Sequence, residues 1–441
     1  MTVPALAKAR PLRLPTVSDT TLDNGLRVLA VRRAGVPLVE LRLRVPFAAP
    51  AGKGGGQHVA RAALLGDTLL SGTEHRTASQ IAIDVQSLGG QLSASTDADR
   101  LAFGGSVLTT GLPGLLSLLA EVLTSASYPG SEVAGERDRL VQELAIARSQ
   151  AGVVAREALM GRMYAGHPYA LDLPTADAVA AVRPKHLRAL HADRVVPAGS
   201  VLVLVGDLQP ARAVALVERS FAGWTTSRKA VPLPPVPAQV GRTALLLDRP
   251  GAVQTTIRLG GGALARTDDG YAALALANLV FGGYFSSRWV ANIREDKGYT
   301  YSPHSSIDHP PAGSRWVAGA DVATDVTAPA LLETMYELGR LATVPVTQEE
   351  LDHARRYATG ALSLGTASQA GLASTVSQLS GAGLGVEWLR DYPKALALVT
   401  VEQVREAAAR WLSPTALTPV LVGDTATIAD GLRALVDLEL S

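Results

Sequence analysis

Apolar and polar residues alternate near the start of the chain and then follow helical spacing. Leu26 to Val31 and Pro37 to Val45 alternate around a turn, which predicts the two strands of a β-hairpin. Helical spacing covers Gln57 to Leu70, Gly111 to Leu123 and Ser131 to Gln150. Strands and helices follow one another irregularly, so the pattern predicts an α+β fold with mainly antiparallel sheets and packed helices.

The second half of the chain repeats the first. Val203 to Asp207 reads VLVGD, and the same letters recur from Val420 to Asp424, 217 residues later (420 − 203). Three more identities keep that register: Val182 with Val399, Arg188 with Arg405, and Pro197 with Pro414. A coincidental match is the alternative, but so many identities in one register favour an internal duplication.

A proline-rich segment separates the two copies. Thr225 to Gln239 holds four prolines within six residues, which favours extended geometry and excludes a helix or central strand. We therefore predict an N-terminal domain at 1–224, a linker at 225–242 and a C-terminal domain at 243–441. The two domains are expected to close like a clam around a chamber, with the linker as hinge.

Composition narrows the function classes. Of 441 residues, 47% are hydrophobic and 18% charged, which excludes wholesale disorder. The net charge of +1 argues against a nucleic-acid binder, and the absence of cysteine excludes disulfides, cysteine metal sites and thiol nucleophiles. Met1 to Arg13 holds no apolar run of leader length, and no stretch has membrane-spanning hydropathy. A cytoplasmic location without membrane contact is expected.

Two motifs in the N-terminal half resemble a known family. The first predicted helix carries His58-Val59-Ala60-Arg61-Ala62, and a later helix carries Glu136 and Glu143. Together with Gly72-Thr73 and the segment from Gly89 to Ala94, this layout resembles the insulinase and mitochondrial-processing-peptidase family of zinc peptidases. That family has His-x-x-Glu-His on the first helix and a third zinc ligand seven residues after a distal Glu. It is also built from two duplicated halves, so the resemblance covers about Leu22 to Leu435.

The departures from the family motif bear on function. His58 and Glu143 match the first and third ligands, but Arg61 replaces the general-base glutamate and Ala62 the second histidine. A catalytic zinc needs about three protein ligands and an open position for water. A guanidinium is permanently charged, so it cannot take a proton from that water. No metal is therefore expected in this chain, and no other histidines have metal-ligand spacing.

The remnants of this motif have simpler explanations as well. His58 is then an ordinary helix histidine, and Glu143 pairs with Arg139, four residues before it. A further hypothesis is that Arg61 reaches Glu143 in place of zinc.

A second motif lies in the C-terminal half. Phe281 to Arg288 reads FGGYFSSR, and Ile293 to Ser302 reads IREDKGYTYS. The C-terminal half of the same family carries a closely similar run, in which an arginine and a tyrosine stand seven residues apart, as Arg294 and Tyr301 do here. Without the family match, Arg294 is a surface residue paired with Glu295 or Asp296, and Tyr301 is a core residue of a strand.

The resemblance implies a division of labour. In two-component bacterial members one subunit carries the zinc motif, and the other supplies the arginine and tyrosine across the interface. This chain is accordingly expected to be the non-zinc-binding subunit of a heterodimeric zinc metallopeptidase, inactive alone, with zinc in its partner and peptides as substrates. Arg294 and Tyr301 would bind substrate and stabilise the carbonyl or oxyanion. The alternative is a non-enzymatic peptide-binding or scaffold subunit, and an active homodimer would need a rebuilt zinc site.

Three small-residue segments carry weaker signals. Gly54 to Gly56 and Gly260 to Gly262 are predicted to be turns, since no Gly-Lys-Ser/Thr follows either one. Gly360 to Gly383 is rich in Gly, Ala and Ser, and it is predicted to be a mobile helix pair without an assigned role.

Overall fold

Two similar halves, each built on a six-stranded sheet, make up the computed structural model. The structure describes residues 14–49 and 54–441, so the prediction for Met1 to Arg13 lies outside the described residues. The strands in this part are β1 (Val17–Thr21), β2 (Arg27–Arg32), β3 (Leu38–Pro46), β4 (Gln91–Thr96), β5 (Arg100–Leu108), β6 (Val201–Gly206), β7 (Ala244–Asp248), β8 (Gln254–Gly262), β9 (His304–Asp308), β10 (Arg315–Ala323), β11 (Thr418–Gly423) and β12 (Leu438–Leu440).

The helices form layers over the sheets and between them. They are α1 (Gly55–Thr68), α2 (Ala78–Ser87), α3 (Leu112–Ser125), α4 (Gly130–Arg148), α5 (Ala151–Met163), α6 (Ala176–Ala180), α7 (Pro184–Arg194), α8 (Pro210–Ser220), α9 (Tyr271–Asn278), α10 (Arg288–Val290), α11 (Thr327–Thr343), α12 (Gln348–Gly365), α13 (Gln369–Gly381), α14 (Trp388–Leu398), α15 (Val401–Trp411) and α16 (Thr425–Arg433). The predicted α+β class is confirmed, as are the three predicted N-terminal helices, which correspond to α1, α3 and α4.

The sheets are mainly antiparallel, as predicted. The strand order is β1-β2-β6-β3-β5-β4 in the first and β12-β7-β11-β8-β10-β9 in the second. The predicted hairpin of β2 and β3 is wrong, because β6 lies between these strands, parallel to β2 and antiparallel to β3. Since β6 reads VLVLVG and is almost entirely buried, it takes the centre of the sheet.

The duplication is visible strand by strand. β2 and β7 begin at Arg27 and Ala244, and β6 and β11 begin at Val201 and Thr418, so both pairs keep the offset of 217 (244 − 27 and 418 − 201). The outermost strands differ, since β1 runs antiparallel to β2 whereas β12 runs parallel to β7. The repeated core of five strands is therefore extended in a different way in each half.

The halves interlock by exchanging equivalent helices. Helix α5 of the first half packs against β8 and β11 of the second sheet, and α13 of the second half packs against β3 and β6 of the first. Each exchanged helix has its own apolar cluster of buried residues: Ala155, Leu159 and Met163 with Leu245, Val420 and Val422, and Leu372, Ala373 and Val376 with Leu29, Val203 and Val205. This reciprocal packing joins the halves through buried apolar surface.

The glycine clusters turn out differently from each other. Gly54 begins α1 with a φ of 105°, which agrees with the predicted turn. The prediction of a turn at Gly260 to Gly262 is wrong, because these residues form the end of β8 and pair with β10. A Cβ on Gly260 would collide with Met163 Sδ and Leu159, so the glycine lets α5 lie directly on the strand.

The segment between the two copies is held against the first half. Residues 225–243, all of them described, form neither helix nor strand. His167 Nε2 lies 3.0 Å from the carbonyl oxygen of Pro234, and Gln239 Nε2 donates to the carbonyl of Met163 over 3.0 Å. No helix within residues 14–49 and 54–441 is long and apolar enough to span a membrane.

A cavity of about 790 Å³ lies between the halves, and His309 forms part of its wall. Its Nδ1 lies 2.8 Å from Ser314 Oγ, and its Nε2 lies 3.2 Å from the Tyr271 hydroxyl. Burial, aided by the nearby Arg266 guanidinium, lowers the pKa of His309 to about 4. The imidazole is therefore neutral at pH 7.

This histidine makes stability depend on pH. Its pKa of about 4 in the folded chain lies below the ordinary value of 6.5, so the unfolded chain binds a proton more readily. Its contribution to stability is therefore complete above pH 6.5 and is lost as the pH falls towards 4. We expect His309→Gln to flatten the fall of the unfolding free energy over that range, measured by urea unfolding at several pH values. An unchanged slope would contradict this.

Candidate functional site

His58 on α1 has a structural role, because its side chain packs and hydrogen-bonds within the protein. Its side chain is buried, and Nε2 lies 2.9 Å from the carbonyl oxygen of Phe47, whose ring lies beside it with centroids 5.6 Å apart. Burial lowers the pKa of His58, so the neutral ring donates this hydrogen bond. The structure therefore agrees with the simpler interpretation of His58 as a structural helix histidine.

The hypothesis that Arg61 replaces zinc by reaching Glu143 is wrong. Both residues are described, and Arg61 Nη2 lies 3.4 Å from Gln57 Oε1, whereas Glu143 pairs with Arg139. Arg139 also binds Glu136, with Nε 2.6 Å from Oε2. Because Arg139 stands three and four residues from these carboxylates on α4, it reaches both without any tertiary rearrangement.

The residues at the former motif do not fit a zinc ion. His58 Nε2 is occupied by a backbone carbonyl, Ala62 is buried and has no donor atom, and Glu143 is tied to a guanidinium. In the part of the chain that the structure describes, no cluster of three His, Asp or Glu side chains could hold a metal ion. We therefore derive no chemical step through a metal in this chain.

The C-terminal motif brings its two key residues together. Helix α10 continues as a π-helical turn over Ala291–Asp296, which carries Arg294. The Arg294 guanidinium carbon lies 4.2 Å from the ring centroid of Phe285 and 4.9 Å from that of Tyr301. The guanidinium thus contacts two aromatic rings, an arrangement stabilised by cation–π attraction.

The simpler interpretations of Arg294 and Tyr301 have different outcomes. Arg294 Nε lies 3.3 Å from Glu295 Oε1, so the expected surface ion pair is present in addition to the aromatic contacts. Tyr301 is 82% exposed and precedes β9, so its interpretation as a core strand residue is wrong. A tyrosine and a phenylalanine that stay largely in solvent beside an arginine indicate a contact surface.

Buried aromatic packing fixes the backbone under this surface. Trp289 stacks on Phe281 with ring centroids 5.0 Å apart, and its Nε1 donates to Thr334 Oγ1 over 2.9 Å. A Cβ on Gly282 would come within 2.8 Å of Trp289, so only glycine fits there. Gly298 has a φ of 66°, which turns the chain back towards Tyr301.

Arg288 ties the motif to the start of α12. Its Nε and Nη2 donate to the two carboxylate oxygens of Glu350 over 2.6 and 2.8 Å. This bidentate pair lowers the pKa of Glu350 to about 2, and the same carboxylate caps α12 by accepting from the Thr347 N–H. Arg288 thereby stabilises the start of a helix other than the one on which it lies.

A cavity of about 770 Å³ adjoins the turn that carries Arg294. Within the described chain, three buried atoms in its wall lack a hydrogen-bond partner: Ser287 Oγ, Arg288 Nη1 and Asn292 Oδ1. Leu332 and Tyr336 of α11 line it as well and are about half exposed. Sequence reasoning missed this cavity and missed Phe285, although an aromatic residue two positions after the Gly-Gly pair was an available signal.

The fold and the site together define a pseudo-peptidase, in which a peptidase fold has lost the ligands of its zinc motif. Residues 62–177 match the family described as "Insulinase (Peptidase family M16)". Residues 181–357 match the family described as "Peptidase M16 inactive domain". The chain therefore belongs to the insulinase family and is of its inactive type.

Bacterial relatives agree with the family, and solved structures share the fold. An uncharacterized zinc protease of Mycobacterium tuberculosis is 26% identical over 98% of this chain and 100% of its own. One of Mycobacterium leprae is 28% identical over 68% of each chain. The fold matches a peptidase M16 inactive domain from Pseudomonas fluorescens with a TM-score of 0.84 at 24% identity, covering 93% of this chain and 98% of that one. A Helicobacter pylori protease matches with a TM-score of 0.85 at 20% identity, covering 93% and 100%.

Proposed function

We propose that this chain is the zinc-free subunit of a heterodimeric zinc endopeptidase. Its partner would be a member of the same family with an intact His-x-x-Glu-His motif, which holds the zinc and the water-activating glutamate. The observation that carries the proposal is the stack that the Arg294 guanidinium forms with the exposed rings of Phe285 and Tyr301. In the same chain, the N-terminal motif keeps no group that could activate water.

The chemistry of the stack suits a peptide carbonyl. A guanidinium and a phenol are hydrogen-bond donors that need no metal, and both can donate to the carbonyl beside the scissile bond. The Arg294 guanidinium already contacts the rings of Phe285 and Tyr301, so it would lose little freedom on binding substrate. A donor placed where the oxyanion develops lowers the barrier to hydrolysis.

The exposure of the stack supports action on a second molecule. Tyr301 is 82% and Phe285 60% exposed, and no described residue covers either ring fully. The adjoining cavity adds unpartnered polar atoms and the exposed Leu332 and Tyr336 to the same region. Aromatic residues around an arginine are typical of the centres of protein and peptide interfaces.

A second candidate is a non-enzymatic peptide-binding or scaffold subunit. The ion pair of Arg294 with Glu295 favours it, because it partly satisfies the guanidinium within the chain. The cytoplasmic location stays a prediction. One structure with the same fold is the first half of a periplasmic protease from Escherichia coli, with a TM-score of 0.76.

Cleavage by separate and mixed subunits tests the proposal. A fluorogenic peptide mixture is incubated with this chain, with an intact-motif relative from the same organism, and with both together. We expect cleavage only in the mixture, with a complex visible by size-exclusion chromatography. Full activity of the relative alone, unchanged when this chain is added, would favour the scaffold candidate.

Phe285→Ala should lower peptide cleavage by the mixed subunits without abolishing it. Removing one ring deletes a cation–π contact worth about 0.5–1 kcal/mol at an exposed site, so we expect a loss of about two- to fivefold in kcat/KM. Phe285→Tyr keeps the ring and should retain activity. Equal activity of Phe285→Ala and the native chain would show that the stack does not position Arg294.

A further inference from the structure

The cavity between the two halves carries an excess of positive charge. Six arginines and four aspartates line it, which leaves two positive charges (6 − 4): Arg44, Arg100, Arg156, Arg258, Arg266 and Arg315 against Asp97, Asp99, Asp172 and Asp308. The histidine whose pKa is lowered to about 4, His309, adds no charge at pH 7. Such a cavity attracts anions because its low-dielectric walls focus the field.

Four of these arginines already have carboxylate partners. Arg100 pairs with Asp97 at 2.6 Å, and Arg156 with Asp172 at 2.7 Å. Arg315 and Arg258 likewise pair with Asp308 and Asp321, at 3.1 and 3.2 Å. Asp321 is not one of the four lining aspartates, so counting it lowers the excess to one positive charge (6 − 5), which Arg44 and Arg266 carry against the remaining carboxylate of Asp99.

Arg266 lacks a counter-ion. It forms no ion pair within the described residues, and the segments outside them contain no Asp or Glu. Its Nε is buried without a hydrogen-bond partner, and its guanidinium carbon lies 5.6 Å from the Trp388 ring centroid. The Trp388 ring stabilises the guanidinium in part by cation–π attraction, but within the described residues the charge has no anionic partner and the buried Nε has no hydrogen-bond acceptor.

Arg44 is on β3 of the first half and lines the same cavity. Its Nη1 donates to the carbonyl of Ser377 on α13 over 3.2 Å, and it forms no ion pair with any described carboxylate. Burial and the neighbouring Arg100 lower its pKa, so the charged form is not fully stabilised by the chain itself. The nearby Asp99 accepts from the Tyr169 hydroxyl over 2.7 Å instead.

We propose that this cavity binds an acidic peptide segment, with Arg44 and Arg266 pairing with its carboxylates. A volume of about 790 Å³ suits a ligand far larger than an isolated anion. Apolar side chains share the wall with the arginines, among them Val153, Leu159, Met160 and Ile307, and they can cover the rest of a peptide. The site lies within this chain and goes beyond the proposed function, because it requires no catalytic partner.

Fluorescence anisotropy on the purified full chain tests the site. The probes are a fluorescein-labelled hexapeptide with two glutamates and the same peptide with two glutamines. We expect the glutamate peptide to bind about tenfold more tightly than the glutamine peptide. Its affinity should fall as the salt concentration is raised. Arg266→Gln should lose about tenfold in affinity for the glutamate peptide, whereas Arg266→Lys, which keeps the charge, should lose less.

A matched control removes a charge pair from the same wall. The double variant Arg156→Gln/Asp172→Asn deletes a self-neutralised pair and should bind the glutamate peptide as the native chain does. Circular dichroism and the melting temperature verify that each variant folds. If Arg266→Gln does not fold, a loss of affinity for the glutamate peptide in Arg44→Gln and the comparison of the two peptides on the native chain test the proposal instead.

Three results would overturn the proposal. The first is equal affinity for the glutamate and glutamine peptides, and the second is a folded Arg266→Gln variant that binds like the native chain. The third is stabilisation of the chain by inorganic phosphate without any binding of the glutamate peptide, which would assign the cavity to small anions. None of these results depends on cleavage by the mixed subunits, so failure of this proposal can be distinguished from failure of the proposed function.

Discussion

Replacing Arg294 with alanine is expected to lower peptide cleavage by the mixed subunits about 100-fold, while the complex still assembles. The guanidinium carbon lies 4.2 Å from the Phe285 ring centroid and 4.9 Å from that of Tyr301, and the turn that carries it is fixed by buried packing. Loss of one preorganised oxyanion donor costs about 3 kcal/mol in other hydrolases, which corresponds to this factor. The loss should appear mainly in kcat, because the contact strengthens in the transition state.

Two further variants separate this role from a structural one. Arg294→Lys keeps the charge but loses the planar group that lies on the rings, so we expect intermediate activity. Glu295→Ala removes the carboxylate 3.3 Å from Arg294 and should leave cleavage unchanged or raise it. Size-exclusion chromatography verifies assembly in each case. An Arg294→Ala mixture that cleaves at the native rate would exclude the catalytic role and leave the scaffold candidate.

Much of the fold could be predicted from the local spacing of hydrophobic residues and from the internal repeat. Three helices of the first half, α1, α3 and α4, follow from helical spacing, and the offset of 217 residues places nearly every strand of one half on its equivalent in the other. The pairing of β2 was not predictable in this way. Its neighbour β6 lies about 170 residues further on, and a parallel strand inserted from that distance leaves no signal near the hairpin-like turn.

The sequence predicted those features of the site that depend on residue types, but it did not predict which arginine pairs with Glu143. Ala62 and Arg61 exclude zinc chemistry by their side chains alone, and the spacing of Arg294 and Tyr301 pointed to a pair that the structure does bring into contact. The partner of Glu143 could not be chosen from the sequence, since both Arg61 and Arg139 were available. The structure favours Arg139, which lies on the same helix and needs no alignment between two elements.

The exchange of helices between the halves had no signal in the sequence. The small residues of α13 looked like a mobile segment, because Gly, Ala and Ser carry little apolar surface. In the structure they serve close packing instead, since small side chains allow the helix to lie on β3 and β6. The same holds for Gly260 under α5. Small residues therefore mark the places where the halves approach each other most closely.

Ala373→Glu is expected to cause the largest loss of stability among the substitutions considered. Ala373 on α13 is fully buried between the halves, beside Leu29, Val203 and Val205 of the first sheet. A carboxylate there has no cation or donor to pair with in this cluster, and a buried unpaired charge costs about 3–5 kcal/mol. We expect the free energy of unfolding, measured in urea by circular dichroism, to fall by at least about 3 kcal/mol.

The number of transitions in the unfolding curve shows whether the substitution weakens the packing between the two halves or the core of one half. Each half keeps its own core in the variant, so α13 should detach first and the single transition should divide into two. Gln378→Glu adds the same charge on the exposed side of α13 and should leave both the midpoint and the slope unchanged. A single transition with native stability for Ala373→Glu would show that α13 is not the element that joins the halves.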